Sequence, residues 1–288
     1  MAARTTPPRA GTAPGGAAKT RGAKKPKRPV VPSYRFENEL HAAGSTTIIG
    51  CDEVGRGALA GPVAVGMVVV DAQVGRWPRG LRDSKMLLEP KREELAPLCM
   101  SWVRHHAVGM ASADEIDAYG IMACLSMAGA RAFAQLQAAG AVLDACTIVL
   151  DGNYDYLSRS LPVPVPVVPR VKADQSCASV AAASVIAKVH RDALMIEQDA
   201  VFPGYSWASN KGYASEAHFE AIARLGACTL HRRTWLKPER TQVQVALDGL
   251  DVVGAADLET GAPDASLEQP AEQPAEHAAP ADAVESAA

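Results

Sequence analysis

Two short apolar runs in this chain end in acid, and that coincidence restricts the fold more than any other feature. Thr46-Thr-Ile-Ile-Gly-Cys51 runs into Asp52-Glu53, and Thr147-Ile-Val-Leu150 runs into Asp151-Gly152. Both runs read as short buried strands. In an open α/β sheet, ligands sit beyond the carboxyl ends of parallel strands. If these two strands are parallel neighbours, Asp52 and Asp151 lie side by side at that edge. A third acid, Asp174, comes just before a long helical pattern, where the helix dipole would favour its ionised form.

The rest of the middle alternates in the same style. Val63–Val70 and Val103–Ala111 read as further strands, and the proline-rich run Pro162–Pro169 as an edge strand, because proline cannot donate to a ladder. Helices are expected over Lys91–Met100, Gly120–Ala139, Ser176–Ala200 and Ser215–Leu225. Ser112-Ala-Asp-Glu115 is a capping-box pattern and should begin another. The long helix carries the small-residue run Ala181-Ala-Ala-Ser184. Strands interspersed with helices define an α/β fold. A run of helices after the last strand suggests a small C-terminal helical part, over about 201–240.

Charge divides the chain further. Residues 1–32 hold eight Lys or Arg and no acid, and residues 241–288 hold ten Asp or Glu and no base. Between 33 and 240 the counts nearly balance, at 21 basic and 22 acidic. Both ends have too little apolar surface to offset chain entropy and read as disordered tails around one folded domain. The head is able to hold phosphates loosely or simply to solubilise, and the acidic tail reads as solubilising. No stretch approaches the ~20 apolar residues of a membrane span, and the basic N-terminus lacks the apolar segment of a secretory signal. Six cysteines stand far apart with no Cys-x-x-Cys pair, which argues against a zinc ribbon and a disulfide framework. A cytoplasmic protein with reduced thiols is expected.

A single acid after a strand is ordinarily a turn residue or a helix cap. Several converging without an adjacent base repel one another and call for a cation. Hard oxygen ligands with open positions select Mg²⁺ or Mn²⁺. A pair of such ions, ~3.5–4 Å apart, stabilises both oxygens of an in-line displacement at phosphorus. The chemistry indicated is phosphodiester hydrolysis by a metal-activated water.

The local sequence narrows this. Asp52-Glu-Val-Gly-Arg-Gly57 followed by Ala60-Gly-Pro-Val63 closely resembles the opening signature of the ribonuclease HII family. In order come Asp83-Ser-Lys85 with Lys91-Arg92, then Leu150-Asp-Gly-Asn153, then Lys172-Ala-Asp174 with Ala181–Lys188 and Arg191-Asp192. Asn210-Lys-Gly-Tyr213, His218 and His231-Arg-Arg233 complete the likeness, which spans roughly residues 33–237. Met86, Ala58 and Ala214 depart from residues frequent in the family, and none touches the four acids. Arg56 favours this family over the sister ribonuclease HIII, where lysine is usual.

The resemblance implies a ribonuclease H-like mixed sheet flanked by helices, with a C-terminal helical part. It implies an endonuclease that cuts the RNA strand of RNA–DNA hybrids and leaves 5′-phosphate and 3′-hydroxyl ends. Asp52, Glu53, Asp151 and Asp174 match the family's metal-binding acids. Gly55-Arg56-Gly57 matches its ribose 2′-hydroxyl reader, and Tyr213 a tyrosine that stacks at the junction of ribo- and deoxyribonucleotide. That junction reading implies nicking of duplex DNA 5′ to an embedded ribonucleotide. Lys85, Lys172, Lys188, Arg191 and Lys211 are candidate phosphate contacts, and Lys188 and Arg191 should share a helix face. His218 and His231 read as structural. Monomeric action is common for this fold. The alternative is a protein that holds hybrids without cutting them, for which the basic head is the motive.

Overall fold

The valine- and isoleucine-rich runs form one mixed, five-stranded sheet in the order β3-β2-β1-β4-β5. The structure is a computed structural model and describes residues 31–236. Nearly all of the basic head, and all of the acidic tail, lie outside the described residues, so neither expectation about them is addressed. β1 (Thr47–Val54), β2 (Val63–Asp71) and β3 (His105–Ala111) form an antiparallel meander. β4 (Cys146–Asp151) and β5 (Val167–Arg170) continue the sheet parallel to β1. The edge-strand expectation for the proline-rich run narrows to its end. Pro169 pairs with Leu150 in β5, at the rim of the sheet where a missing donor costs no ladder bond.

The helices cover both faces. α1 (Arg35–Ala42), α2 (Glu89–Trp102) and the 24-residue α6 (Ala178–Val201) lie on one. α3 (Ala113–Tyr119) and α4 (Ile121–Ala138) lie on the other. The Ser112 capping box is formed: Ser112 accepts from the Glu115 amide at 3.1 Å, and Glu115 accepts from the Ser112 amide at 2.8 Å. α5 (Ala173–Ser176) is a separate single turn, divided from α6 by the extended Cys177 (φ −109°, ψ 126°). After α6 come α7 (Trp207–Asn210) and α8 (Glu216–Leu225), with a small core of Met195, Tyr205, Trp207, Ala221 and Ile222 that also takes in Ala60 from the β1–β2 connection. This is the expected helical part. None of the described helices is long and apolar enough to cross a membrane.

Small side chains set the spacing between α6 and the sheet. A Cβ at Gly50 would meet the Ser179 carbonyl carbon at 2.3 Å, and one at Gly66 the Ala183 carbonyl oxygen at 2.7 Å. Ala181, Ala182 and Ala183 are fully buried beneath. Close approach of backbones brings Ser184 and the start of α6 against the acidic end of β1. We predict that Gly50→Ala lowers unfolding free energy by about 1–3 kcal/mol, the ordinary range for overpacking. Denaturant titration is the check, and unchanged stability would mean that α6 can move away freely.

Candidate active site

Register places the first two acids. Cys51 on β1 pairs in parallel with Leu150 on β4, and Asp52 and Asp151 are the next residue on each strand. β1 runs further than its sequence pattern suggested, because β2 goes on pairing with it through Val54. Both Asp52 and Glu53 therefore sit inside the strand rather than beyond it.

Alternation then decides where the acids face. Ile49 and Cys51 belong to the core on the α4 side and Ile48 to that on the α6 side. Asp52 accordingly faces α6, and Glu53 the opposite layer. Leu150 packs on the α4 side and Val149 on the α6 side, so Asp151 shares the Asp52 face. Glu53 lies 3.6 Å from the Arg56 guanidinium and accepts from the Tyr156 hydroxyl at 3.5 Å.

Asp151 holds the fourth acid in place. Its carboxylate accepts from the amides of Ala173 at 2.7 Å and Asp174 at 3.4 Å, which seats α5 at the end of β4. The dipole argument for Asp174 is overturned. Burial, then the charges of Asp151 and Asp83, push its carboxyl up to about 6. The short α5 turn carries Asp174, and the dipole of α6 begins only beyond Cys177. Burial likewise raises Asp52 well above the carboxylate range, reinforced by Glu53, Asp151 and Asp174. Glu53 is raised by burial too, although Arg56 opposes the shift.

Asp83 was missed as a member of this group. It is buried beside Asp174, accepts from the Lys85 amide at 2.9 Å and from Gln175 at 3.4 Å. The Asp83-Ser-Lys85 triplet was its signal, but only the lysine was singled out. Ser184 of α6 donates to Ser84 at 2.8 Å and pins this segment against the cluster. Burial alone would lower Lys85. The charges of Asp52, Asp174, Asp83 and Asp151 outweigh it and hold the amine above the usual lysine range.

The Gly55-Arg56-Gly57 segment is a tight turn next to the acids. Gly55 has φ 79°, and a Cβ there would meet the Arg191 Nε at 2.1 Å, so only glycine fits. Its amide donates to the Tyr213 hydroxyl at 3.1 Å, which joins the turn to the expected stacking tyrosine. Lys188 and Arg191 do share a helix face: each cationic centre lies 5.3 Å from the Tyr213 ring centroid.

The expectation that Arg191 contacts phosphate is corrected. It is fully buried and donates to the carbonyls of Pro62, Lys211 and Ala60 at 2.8–3.0 Å. Lys211 is corrected in the same way: its buried amine donates to Ala208 O and pairs with Glu89 at 3.0 Å. Lys188 pairs with Asp192 at 2.7 Å, whereas Lys85 and Lys172 are exposed. The two histidines form a closed chain. Trp207 donates to His218 Nε2 at 3.0 Å, so His218 Nδ1 donates to Tyr213 O at 2.9 Å. His231 Nδ1 accepts from the Cys228 amide at 3.1 Å, leaving its Nε2 to donate to His218 at 3.1 Å. Both are neutral braces beneath Tyr213.

The donor set fits a hard divalent cation. One oxygen of Asp174 is buried with no hydrogen-bond partner, and the carboxyls of Asp52, Glu53 and Asp174 are raised by burial and by the charge of Asp151. Among the described residues no three His, Cys, Asp or Glu side chains converge closely enough to hold a metal ion as they stand.

Antiparallel strands leading into a parallel pair with acids at its carboxyl end define a ribonuclease H-like fold. The family model for ribonuclease HII matches residues 49–238. Ribonuclease HII of Streptomyces griseus is 43% identical over 208 residues, covering 71% of this chain and 84% of that protein. Its counterpart in Caulobacter vibrioides is 41% identical over 221 residues, covering 75% and 95%. Among solved structures, the ribonuclease HII of Archaeoglobus fulgidus, determined in complex with PCNA, gives a TM-score of 0.53 at 28% identity, covering 65% of this chain and 93% of that one. Ribonuclease H2 from Pyrococcus horikoshii shares the fold, at TM-score 0.51 and 24% identity, covering 70% and 99%. The chain belongs to the ribonuclease HII family and is a metal-dependent ribonuclease H of type 2, an endonuclease for RNA–DNA hybrids.

The raised Asp174 carboxyl has a measurable consequence. A carboxyl whose folded pKa lies above its unfolded value binds protons more readily when folded. Its ionised form therefore burdens the fold at neutral pH, and stability is regained as pH falls from about 6 towards 3.8. We predict that Asp174→Asn stabilises the metal-free protein at pH 7 by about 1–3 kcal/mol. The gain should shrink as pH falls and vanish below about pH 3, where the carboxyl is neutral in the folded and unfolded chain alike. Denaturant unfolding in EDTA at the two pH values decides it, and equal stabilities at pH 7 would contradict the raised carboxyl.

Proposed function

We propose that Asp52, Glu53, Asp151 and Asp174 hold two divalent ions, Mg²⁺ or Mn²⁺, on the scissile phosphate of a ribonucleotide. The products would be 5′-phosphate and 3′-hydroxyl ends. When bound, such ions acidify water and stabilise charge on phosphate and leaving oxygens. The chain's own residues do the rest. Asp151 orients Asp174 through the α5 amides. Tyr156 and Arg56 steer Glu53. Lys85, and at longer range the exposed Lys172 and the part-buried Lys188, offer positive charge to the phosphate backbone. Gly55-Arg56-Gly57 and Tyr213 read a ribonucleotide that precedes a deoxyribonucleotide, since the 2′-hydroxyl is the local difference between the two nucleic acids.

The activity extends, on this reading, from long hybrids to single ribonucleotides embedded in duplex DNA, nicked on their 5′ side. The protein acts as a cytoplasmic monomer. The observation that carries the proposal is the hydrogen bond from the Gly55 amide to Tyr213, which joins a turn beside the acids to a flat aromatic face.

A labelled DNA duplex with one ribonucleotide tests it, with Mg²⁺ or Mn²⁺, an all-DNA control and an EDTA control. The expected outcome is metal-dependent nicking 5′ to the ribonucleotide with the control intact. Cleavage of long hybrids alone would remove the roles given to the turn and Tyr213. Asp52→Asn should abolish cleavage and leave hybrid binding largely unchanged; an active Asp52→Asn enzyme would overturn the metal assignment.

A further inference from the structure

The turn that reads the ribose is shaped from behind by one buried arginine. Arg232 is fully buried in the segment after α8. Its guanidinium donates to Gly55 O at 2.6 Å, to Arg56 O at 2.9 Å and to Gly61 O at 3.1–3.2 Å. Its own amide donates to Leu59 O at 2.9 Å. Neither Arg232 nor Arg191 has a carboxylate within ion-pair distance among the described residues. Backbone carbonyls are their partners.

Peptide geometry converts these bonds into an orientation. In a trans peptide the carbonyl of one residue and the amide N–H of the next point in opposite directions. The chain has no cis bond among the described residues. Drawing Gly55 O and Arg56 O inward therefore aims the amides of Arg56 and Gly57 outward. Both residues are exposed, and no atom would come within 4 Å of a Cβ at Gly57. Neither amide has an intramolecular acceptor among the described residues. Two free donors thus stand side by side, next to the acids, ready for the oxygen of a sugar hydroxyl.

The anchorage of Arg232 is rigid. His231 forms a β-bridge with Ala60. The amides of Arg233 and Thr234 donate to Asp117 of α3 at 2.7 and 3.1 Å. The guanidinium itself lies 4.8 Å from the Trp235 ring centroid.

We propose that Arg232 is the positioning residue that sets ribose specificity, by fixing the outward amides of Arg56 and Gly57. This rests on the assignment of that turn as the ribose reader. Arg232 touches no substrate itself. Its loss leaves the acids and phosphate contacts in place, leaves the Gly55 carbonyl only the turn bond from the Ala58 amide at 3.2 Å, and frees the Arg56 carbonyl, so that the turn loosens.

The test measures binding by the full chain, carrying Asp52→Asn to silence cleavage. The readout is the ratio of Kd for an all-DNA duplex to Kd for the same duplex with one ribonucleotide. Arg232→Met should reduce the ratio about tenfold, the worth of one good hydrogen bond, with the all-DNA Kd unchanged. Arg232→Lys, which keeps charge but loses the fork, should fall between and is the variant to read if Arg232→Met does not fold. Ile222→Ala, which thins the core of the same lobe but removes none of the hydrogen bonds made by the Arg232 guanidinium, should keep the parent's ratio. An unchanged ratio in folded Arg232→Lys and Arg232→Met, or an equal loss in Ile222→Ala, overturns the proposal. A parent without preference for the ribonucleotide duplex overturns the ribose-reading assignment, and this proposal with it.

Discussion

The site depends on the parallel pairing of β1 with β4. Antiparallel neighbours would send their carboxyl ends to opposite rims of the sheet, whereas the parallel register sets Asp52 and Asp151 next to each other. The same pairing explains why the cluster is open. Side chains alternate along a strand, so successive acids Asp52 and Glu53 straddle the sheet, one facing α6 and the other Tyr156 and Arg56. Any one cation held by acids from both faces would be held at the rim, beyond the last pair.

Assembling these acids costs stability, and the neighbouring elements limit the cost. Burial and the charge of Asp151 raise Asp52, Glu53 and Asp174. Amides at the start of α5 hydrogen-bond the Asp151 carboxylate, and Arg56 offsets part of the rise at Glu53. The remainder is left for a ligand of opposite sign. On the proposed assignment of these acids, a site strained in this way would gain affinity for divalent ions and lose the strain on binding them, which would link folding stability to metal.

Much of this was legible in the sequence, and the failures have physical causes. Periodicity located the strands and helices of the middle, and strand-end acids pointed to the edge where the site lies. The ends of β1 and β4 were misjudged by a few residues because pairing partners, not propensity, decide where a strand stops. The Asp174 reading failed because it weighed a helix dipole and had no access to burial or to Asp83, 91 positions earlier in the chain. Arg191 and Lys211 look like surface cations in any local window. Only the fold shows Arg191 filling the space that Gly55 leaves empty. Glycine was recognised at position 55, but its reason, an arginine side chain from α6, is a long-range contact that no spacing rule contains.

Two buried guanidinium groups without carboxylate partners would ordinarily be a severe cost. Here their donors are taken up by backbone carbonyls: three for Arg191, and three with one bond shared for Arg232. Burial, and then the charge of Arg191, lower Arg232 to about 9, so it stays protonated at neutral pH. An apolar residue at Arg191 would take the donors from the buried carbonyls of Ala60 and Lys211, and one at Arg232 the donors from Gly61, while Gly55 O keeps its bond from the Ala58 amide; burying a carbonyl without a donor costs more than the exchange would gain. Positive charge is thus held beneath the turn while negative charge gathers beside it, and the two are kept apart by the backbone itself. That separation keeps Arg232 from collapsing onto the acids. The His218–His231 chain adds rigidity from the same lobe, since His218 also fixes Tyr213 O. The small C-terminal lobe, though it supplies no acid to the cluster, therefore holds both the turn beside the acids and Tyr213 in place.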